Sequence, residues 1–436
     1  MTGGAAVTRA LAQDAKPDFT LRIAPVELEI ARGKTIKTIG YNGSSPGPVL
    51  RVPERKSVTI EVHNESSNAE LVHWHGLMIP SNVDGAMEEG TPMIPAHGSA
   101  RYTFEAYPAG TRWYHSHAMA GRDLRRGTYS GQFGAMYIEP KHEPGEFDAE
   151  IFLTLHGWDP FLSTMGDEDG GLEVAYQRHS INSHSLGFGE PIRVREGQRV
   201  MFRIVNASAT LLHRLALPGH KFRVLALDGN RVPTPREVDV LEMGPAERID
   251  AVVEMRQPGV WILGEPDDHI RGTGLGIVVE YANRQGVGQW VKPAAANWDY
   301  AIFSGSKDEA RASAEAVPLV FKQKFAGSRW VDRWTINGKE YPKTDPIRVS
   351  AGKRYRLVFD NQSDEAHPVH LHRHSFEIVK FAGREISGVM KDVVMVPRRK
   401  QVEAEFLADN PGPTLFHCHQ QMHMDNGFMC MVEYDG

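Results

Sequence analysis

Short runs in which apolar and polar residues alternate recur along almost the whole chain. Ser57 to His63, Arg101 to Phe104, Gly134 to Ile138, Ile151 to Leu155, Arg199 to Val205, Phe222 to Leu227, Ile249 to Val253, Ile277 to Tyr281, Arg354 to Phe359 and Phe376 to Phe381 are rich in β-branched and aromatic residues, and Gly, Pro, Asn and Asp separate them. Period-two alternation marks a strand with one buried face, because successive side chains point to opposite sides of a sheet. Helical periodicity is scarce. Many short strands at this spacing predict an all-β chain built of β-sandwiches.

A weak internal repeat sharpens that expectation. Pro53 to Asn64 (PERKSVTIEVHN), Arg195 to Asn206 (REGQRVMFRIVN) and Ser350 to Asn361 (SAGKRYRLVFDN) each read as a charged turn, an alternating strand and a final Asn. Three copies predict three related domains of roughly 120–150 residues, an ordinary domain size. The boundaries fall near Pro140 to Glu146 and within Asn283 to Val317, so the expected units are 17–142, 146–284 and 317–436, with a connector at 285–316.

Composition narrows the function classes. A net charge of −6 over 436 residues gives no reason to expect nucleic-acid binding. The basic clusters Arg122 to Arg126 and Arg398 to Lys400 read as solvated faces. No apolar run approaches the ~18 residues of a membrane helix. Residues 1–16 read as a disordered leader in which Ala10-Leu11-Ala12 resembles an A-x-A cleavage site. A basic n-region is missing, so export through a signal with a trimmed start is the expectation. Of the two cysteines, Cys430 lies in the apolar run Phe428 to Val432 and reads as a small core residue.

The chemistry lies in the histidines. Among 20 His, the pattern His-x-His occurs five times: His73/His75, His115/His117, His370/His372, His372/His374 and His417/His419. Random placement gives roughly one such pair. On a strand His-x-His sets two imidazoles on one face about 7 Å apart, able to bracket one metal or serve two. In His417-Cys418-His419 the thiol would face away from both rings, so one segment would serve two metal sites, with His423 four residues on. The clusters fall in the first and third repeats, so a site drawing on both lies between those domains. Imidazole suits copper, zinc, iron and nickel, and a Cys/His₂ set points to a blue-copper electron-transfer centre.

With these motifs in view the chain resembles the multicopper oxidases of the three-domain, laccase-like kind. The resemblance rests on His73-Trp74-His75-Gly76, Trp113-Tyr114-His115-Ser116-His117, His367-Pro368-Val369-His370-Leu371-His372 and His417-Cys418-His419-Gln420-Gln421-Met422-His423, in the family's order and at compatible spacing. It implies three consecutive cupredoxin-like Greek-key domains and four copper ions per chain. By that resemblance His367, Cys418 and His423 hold the type 1 copper, and His73 and His370 the type 2 copper. His75, His115 and His419 then hold one type 3 copper, and His117, His372 and His417 the other. The middle domain binds no copper. His63, His97, His142, His156, His179, His184, His213, His220 and His269 match no motif and read as structural or surface residues, as does His374, for which support of a neighbouring ligand is the competing reading.

Three departures from the family pattern matter. Phe428, ten residues after Cys418, stands where many bacterial members place an axial methionine. Phenylalanine cannot coordinate, so a strongly oxidising type 1 site is expected. A one-residue shift that brought in Met429 would turn its side chain to the other face. Asp84 matches the acid that lies near the type 2 copper and helps deliver protons, with a turn residue in Val83-Asp84-Gly85 as the competing reading. The second acid, expected immediately after the last type 1 histidine, is replaced by Met424, and Asp425 is the candidate substitute.

The resemblance implies one-electron oxidation of a phenolic or aromatic reductant at the type 1 copper, with Cys418 and His423 at its centre, and four-electron reduction of dioxygen to water. A monomer with dioxygen and a small reductant as partners is expected. The rival reading is a metallo-oxidase of Cu(I), Fe(II) or Mn(II), whose mark would be an acidic or Met-lined site beside the type 1 copper; the sequence does not reveal one. A non-catalytic carrier would need no second copper cluster. A copper nitrite reductase would have fewer domains.

Overall fold

The computed structural model describes residues 16–143, 146–164, 172–294, 298–306, 314–327 and 331–435; Ala10-Leu11-Ala12 and most of the leader lie outside them. The fold is all-β, as expected. All ten runs read from the alternation lie within observed strands, and the described α-helices are short: Ser81–Asp84, Asp268–Gly272 and Gln421–Asp425.

Each third of the chain forms two sheets. The first third carries two four-stranded sheets, and the second and third each carry a six-stranded and a five-stranded sheet. The repeat is visible in the topology. Phe19–Ala31 runs parallel to Ser57–Asn64, Ala149–Ser163 to Arg199–Asn206, and Glu315–Lys324 to Arg354–Asn361. The Asn that ends each repeat has a physical task. Asn64 Nδ2 donates to Asn68 O, Ile94 O and Pro95 O; Asn206 Nδ2 to Leu211 O and Met243 O; Asn361 Nδ2 to Glu365 O, Val396 O and Pro397 O. One amide thus satisfies carbonyls of two loops at the end where the chain crosses between sheets. In the first and third sandwiches that crossing leads directly into His73 and His367.

Burial follows the pattern where one face is wet. Ser57–Asn64 alternates buried and half-exposed positions along its whole length. Thr414–Cys418, the central strand of its sheet, is buried at every position, so alternation could not have found it.

The three sandwiches meet on buried charges. Arg248 of the middle sandwich forks onto Asp392 of the third, Nη1 to Oδ1 at 2.7 Å and Nη2 to Oδ2 at 2.6 Å. Arg112 of the first donates to Asp228 O and lies 3.4 Å from Asp392 Oδ2. Lys391 pairs with Asp228 and Glu247. Fork-on-carboxylate geometry suits arginine in a dry site. Gly76, with φ +84°, lets this pair pass: a Cβ there would lie 2.6 Å from Arg248 Nη2 and 2.7 Å from Asp392 Oδ2.

Candidate metal centres

Two ligand clusters lie on opposite sides of His417-Cys418-His419. The first gathers eight histidines from the first and third sandwiches, none more than 6% exposed: His73, His75, His115, His117, His370, His372, His417 and His419. Strand register brings them together. His73 pairs with His115 across one sheet, and His370 with His417 across the other. The chain leaves the strand after Cys418, and the His417 and His419 rings lie 5.5 Å apart, closer than two positions of an ideal strand.

In six of the eight rings hydrogen bonds fix which nitrogen stays free. His73 Nδ1 lies 2.9 Å from Asp84 O, His370 Nδ1 2.7 Å from Asp392 O, His115 Nδ1 2.9 Å from Ser116 O and His417 Nδ1 2.9 Å from Cys418 O. His372 Nδ1 lies 2.8 Å from Asp84 Oδ2, and His75 Nε2 3.1 Å from Asp392 Oδ1. Against such acceptors these nitrogens carry the protons, as assigned from the network. The opposite nitrogens are then lone pairs, and they face each other: His372 Nε2 and His417 Nε2 at 3.0 Å, His75 Nδ1 and His115 Nε2 at 3.4 Å. Nε2 of His73, His117 and His370, and both ring nitrogens of His419, have no hydrogen-bond partner. Opposed lone pairs in a buried site repel unless a cation lies between them. Burial first, then the neighbouring imidazoles, hold His75, His115, His117, His372, His417 and His419 well below the ordinary histidine value. Burial brings His370 down to about 4 against the pull of Asp392. These seven rings are therefore neutral and, gathered around His73, fit to hold metal.

The second cluster is His367, Cys418 and His423. Cys418 Sγ lies 3.8 Å from His367 Nδ1 and 3.6 Å from His423 Nδ1, and the two Nδ1 atoms are 3.2 Å apart. Their far nitrogens are taken, His367 Nε2 by Ser363 Oγ at 2.8 Å and His423 Nε2 by Glu365 Oε2 at 3.2 Å. Ser363 donates its own proton to Asn361 Oδ1, so it accepts from His367. Two lone pairs and a thiol thus converge, a donor set that fits copper. Burial pushes the Cys418 thiol well up, so a metal must displace its proton.

Phe428 closes this cluster. Its ring lies 4.9 Å from that of His367, and its carbonyl accepts from Cys418 N at 3.1 Å. Met429 pairs with His417 and packs with Ala86, Leu415 and Met424, on the face away from Cys418. Cys430 lies in the core. His374 reaches His372 O through Nδ1 and Tyr434 Oη through Nε2.

The acids are arranged differently from the sequence pattern. Asp84 is buried, and its Oδ2 lies 2.8 Å from His372 Nδ1 and 3.1 Å from His73 Nδ1. Asp425 accepts from Ala120 N, Gly121 N and Gln421 Nε2, and burial lifts it to about 6. These bonds tie it to the loop after His117. The acid beside Asp84 is Glu89, 3.5 Å from His372 Nδ1. Burial, then the charge of Asp84, hold Glu89 well above the carboxylate range, so the pair keeps a proton against the octet. Sequence reasoning missed Glu89, which reads as one more charge in Met87-Glu88-Glu89-Gly90. It also missed Asp392, whose local sequence carries no sign of a metal site.

At its outer edge His423 is 5% exposed, while His367 and Cys418 are 0% exposed. The recess there is lined by Glu173, Asp332, Glu365, Trp334 and Met422. Glu173 comes from the middle sandwich. The described part of the connector packs elsewhere, Thr234 Oγ1 donating to Ser304 O and Gly305 N to Ser387 O. Among the described residues, none of the connector lines the recess, which Glu173 and residues of the third sandwich enclose.

Comparison with known proteins agrees with this geometry. Multicopper oxidase family models match residues 22–143, 167–278 and 316–435. The chain belongs to the multicopper oxidase family. It is 29% identical over 478 residues to the multicopper oxidase MmcO of Mycobacterium tuberculosis, covering 99% of this chain and 92% of that protein. Laccase-3 of Thanatephorus cucumeris is 24% identical, over 89% of this chain and 85% of that protein. The crystal structure of a multi-copper oxidase from Pseudomonas thermotolerans superposes with a TM-score of 0.76 at 25% identity, covering 96% of this chain and 100% of that one. The three sandwiches are thus cupredoxin-like domains of a copper-dependent oxidoreductase.

For this multicopper oxidase the apolar wall at Phe428 gives a direct expectation. Phe428→Met should lower the reduction potential of a copper held by His367, Cys418 and His423, because a thioether in place of the ring would stabilise Cu(II) relative to Cu(I). Redox titration of the blue absorption measures this, and an unchanged potential would show that Phe428 is not axial.

Proposed function

We propose that the chain is an oxygen-reducing oxidase whose reductant docks at the edge of His423. The observation that carries this reading is the pair of buried donor sets, each with opposed lone pairs, joined through His417-Cys418-His419. Copper bound in these sets, four ions by the family pattern, would supply one-electron acceptance beside Cys418 and reduction of dioxygen to water among the eight histidines. The chain supplies the rest. His367, Cys418 and His423 are the type 1 set, His73 and His370 the type 2 pair, and the remaining six histidines the type 3 set. Asp84 orients His73 and His372, and with Glu89 holds a proton beside them. Asp392 orients His75 and His370.

For the reductant, the recess favours the metal-ion reading over the phenolic one. Glu173, Asp332 and Glu365 converge beside His423, and Met422 adds a thioether. A phenol needs one acceptor for its hydroxyl proton; three carboxylates suit a cation such as Cu(I), Fe(II) or Mn(II). The phenolic reading is supported by Glu173, which burial and then the charge of Glu365 raise, a better base for a hydroxyl proton.

Oxygen uptake by copper-loaded protein with Cu(I), Fe(II), Mn(II) and a phenol, side by side, tests both. A Glu173→Gln/Asp332→Asn variant should raise KM for the metal ion about tenfold and leave phenol turnover unchanged. Loss of phenol turnover with metal oxidation intact would establish the laccase reading instead.

A further inference from the structure

The middle sandwich repeats the frame of the Cys418 set position for position. Ala216 pairs with Gly264 as His370 pairs with His417, which places His213 where His367 stands and Glu265 where Cys418 stands. Glu265 N donates to Leu275 O at 3.1 Å, as Cys418 N donates to Phe428 O at 3.1 Å. Leu275 N donates to Ile270 O at 3.2 Å, as Phe428 N donates to His423 O at 3.0 Å, so Ile270 holds the place of His423. Asn182 and Asn337 make the same turn, their side chains accepting from Thr154 N and Val320 N at 2.8 Å. Three residues before them lie His179 and Trp334. Ser208 Oγ lies 2.8 Å from His213 Nε2, as Ser363 Oγ lies 2.8 Å from His367 Nε2.

These exchanges alter the donor set without abolishing it. His213 is 0% exposed, and its Nδ1 has no hydrogen-bond partner. That nitrogen lies 4.0 Å from Glu265 Oε2. The ring of His179 meets that of His213 edge-on, centroids 5.8 Å apart, whereas in the third sandwich Trp334 meets His367 edge-on at 4.7 Å. His179 Nδ1 lies 2.8 Å from Thr273 Oγ1, whose own proton goes to Ile270 O at 3.0 Å. His179 therefore keeps Nε2 as a free lone pair. Glu265 is 2% exposed and, among the described residues, has no cationic side chain other than His213 within ion-pair distance. Burial lifts it to about 7. Burial, then each neighbouring imidazole, keeps His213 well below and His179 near about 4, so both rings are neutral.

We propose that His213, Glu265 and His179 form a further metal site, for one divalent, borderline-soft cation held by nitrogen and oxygen. Two imidazoles and a carboxylate are a zinc-type donor set. Ligand bonds of about 2.0–2.2 Å across a tetrahedral angle would need a nitrogen-to-oxygen separation of about 3.4 Å, a closure of well under 1 Å from the observed gap. With glutamate in place of cysteine the set forms no blue copper, and no path of ligands leads from it to the octet. The cation joins the strands at His179, His213 and Glu265, and with three protein ligands its fourth position is left to water.

Copper-loaded protein titrated with Zn(II) against a chelator tests this by metal count. One zinc per chain above the copper content is expected, with blue absorption unchanged. Glu265→Gln, which keeps the acceptor for Arg214 N, and His213→Gln should each weaken zinc binding at least tenfold with copper content intact. Failure of the wild-type chain to take up zinc overturns the site, and so does zinc uptake that survives in both variants. Should His213→Gln not fold, Co(II) decides: the wild-type chain should show the d–d bands of a four-coordinate nitrogen–oxygen site, and their persistence in Glu265→Gln overturns the proposal.

Discussion

In a copper-loaded Cys418→Ser variant, the blue absorption is expected to vanish and oxygen consumption to fall to background. Blue colour requires a thiolate bound to copper, and a serine hydroxyl at this buried position stays protonated and coordinates weakly. The change is nearly isosteric, so the strand Thr414–Cys418 should persist with its fully buried pattern. The eight-histidine set is untouched, and copper content should fall only by the ion beside Cys418. What fails is the covalent link, since the thiolate is the one ligand of the His367/His423 set that is bonded through the backbone to His417 and His419. Cys430→Ser is the control. That thiol is a core residue, which burial pushes up to about 12. Its replacement should cost about 1–3 kcal/mol of stability and leave the colour intact. A blue band that survives in Cys418→Ser would remove the type 1 assignment and with it the proposed function.

Asp392→Ala is expected to be the most destabilising single change at the junction of the three sandwiches. Asp392 answers Arg248 with both oxygens and lies 3.4 Å from Arg112, all at 0% side-chain exposure. Burial already brings Arg112 down to about 10, with Asp392 the main opposing influence. Breaking a buried pair strands the partner charge and costs about 3–5 kcal/mol. The same carboxylate fixes the His75 ring, and loss of such a support lowers metal affinity about 10–100-fold. Calorimetry of the copper-free variant and copper counts of the loaded one read the two effects separately. Asp392→Asn should keep the bond to His75 while losing charge, so it should retain copper but melt early. Burial raises Asp392, but Arg248 outweighs it and holds the group below its ordinary value. Its stabilisation is therefore present above the unfolded carboxylate value and lost as pH falls through the lower folded one. A thermal shift within error for Asp392→Ala would refute this role.

Local sequence specified what local geometry controls. Strands with one wet face, such as Ser57–Asn64, were legible because covalent alternation and burial share a period of two. The metal motifs were legible because the strand period brings side chains back to one face. Only His73/His75 lies wholly on a strand, and in the other three motifs the strand ends one residue before the second histidine. The three Asn-ended repeats announced three sandwiches because the same amide ties the same crossing in each.

Only the tertiary structure decided what compensates these groups and where a reductant meets them. Arg248 and Asp392 are 144 residues apart, and each looks like an ordinary surface charge until the sandwiches close on them. Glu89 stands in a run that reads as solvated, yet packing buries it beside Asp84 and holds its carboxyl well above the ordinary range. The carboxylates at His423 come from three separate segments, at Glu173, Asp332 and Glu365, so no spacing rule links them. His213 and Glu265 escaped notice likewise, because their likeness to His367 and Cys418 lies in strand register rather than in residue type. The physical division is between covalent spacing, which sets the ligands' directions, and desolvation, which gives a charge its meaning only when distant segments remove its water.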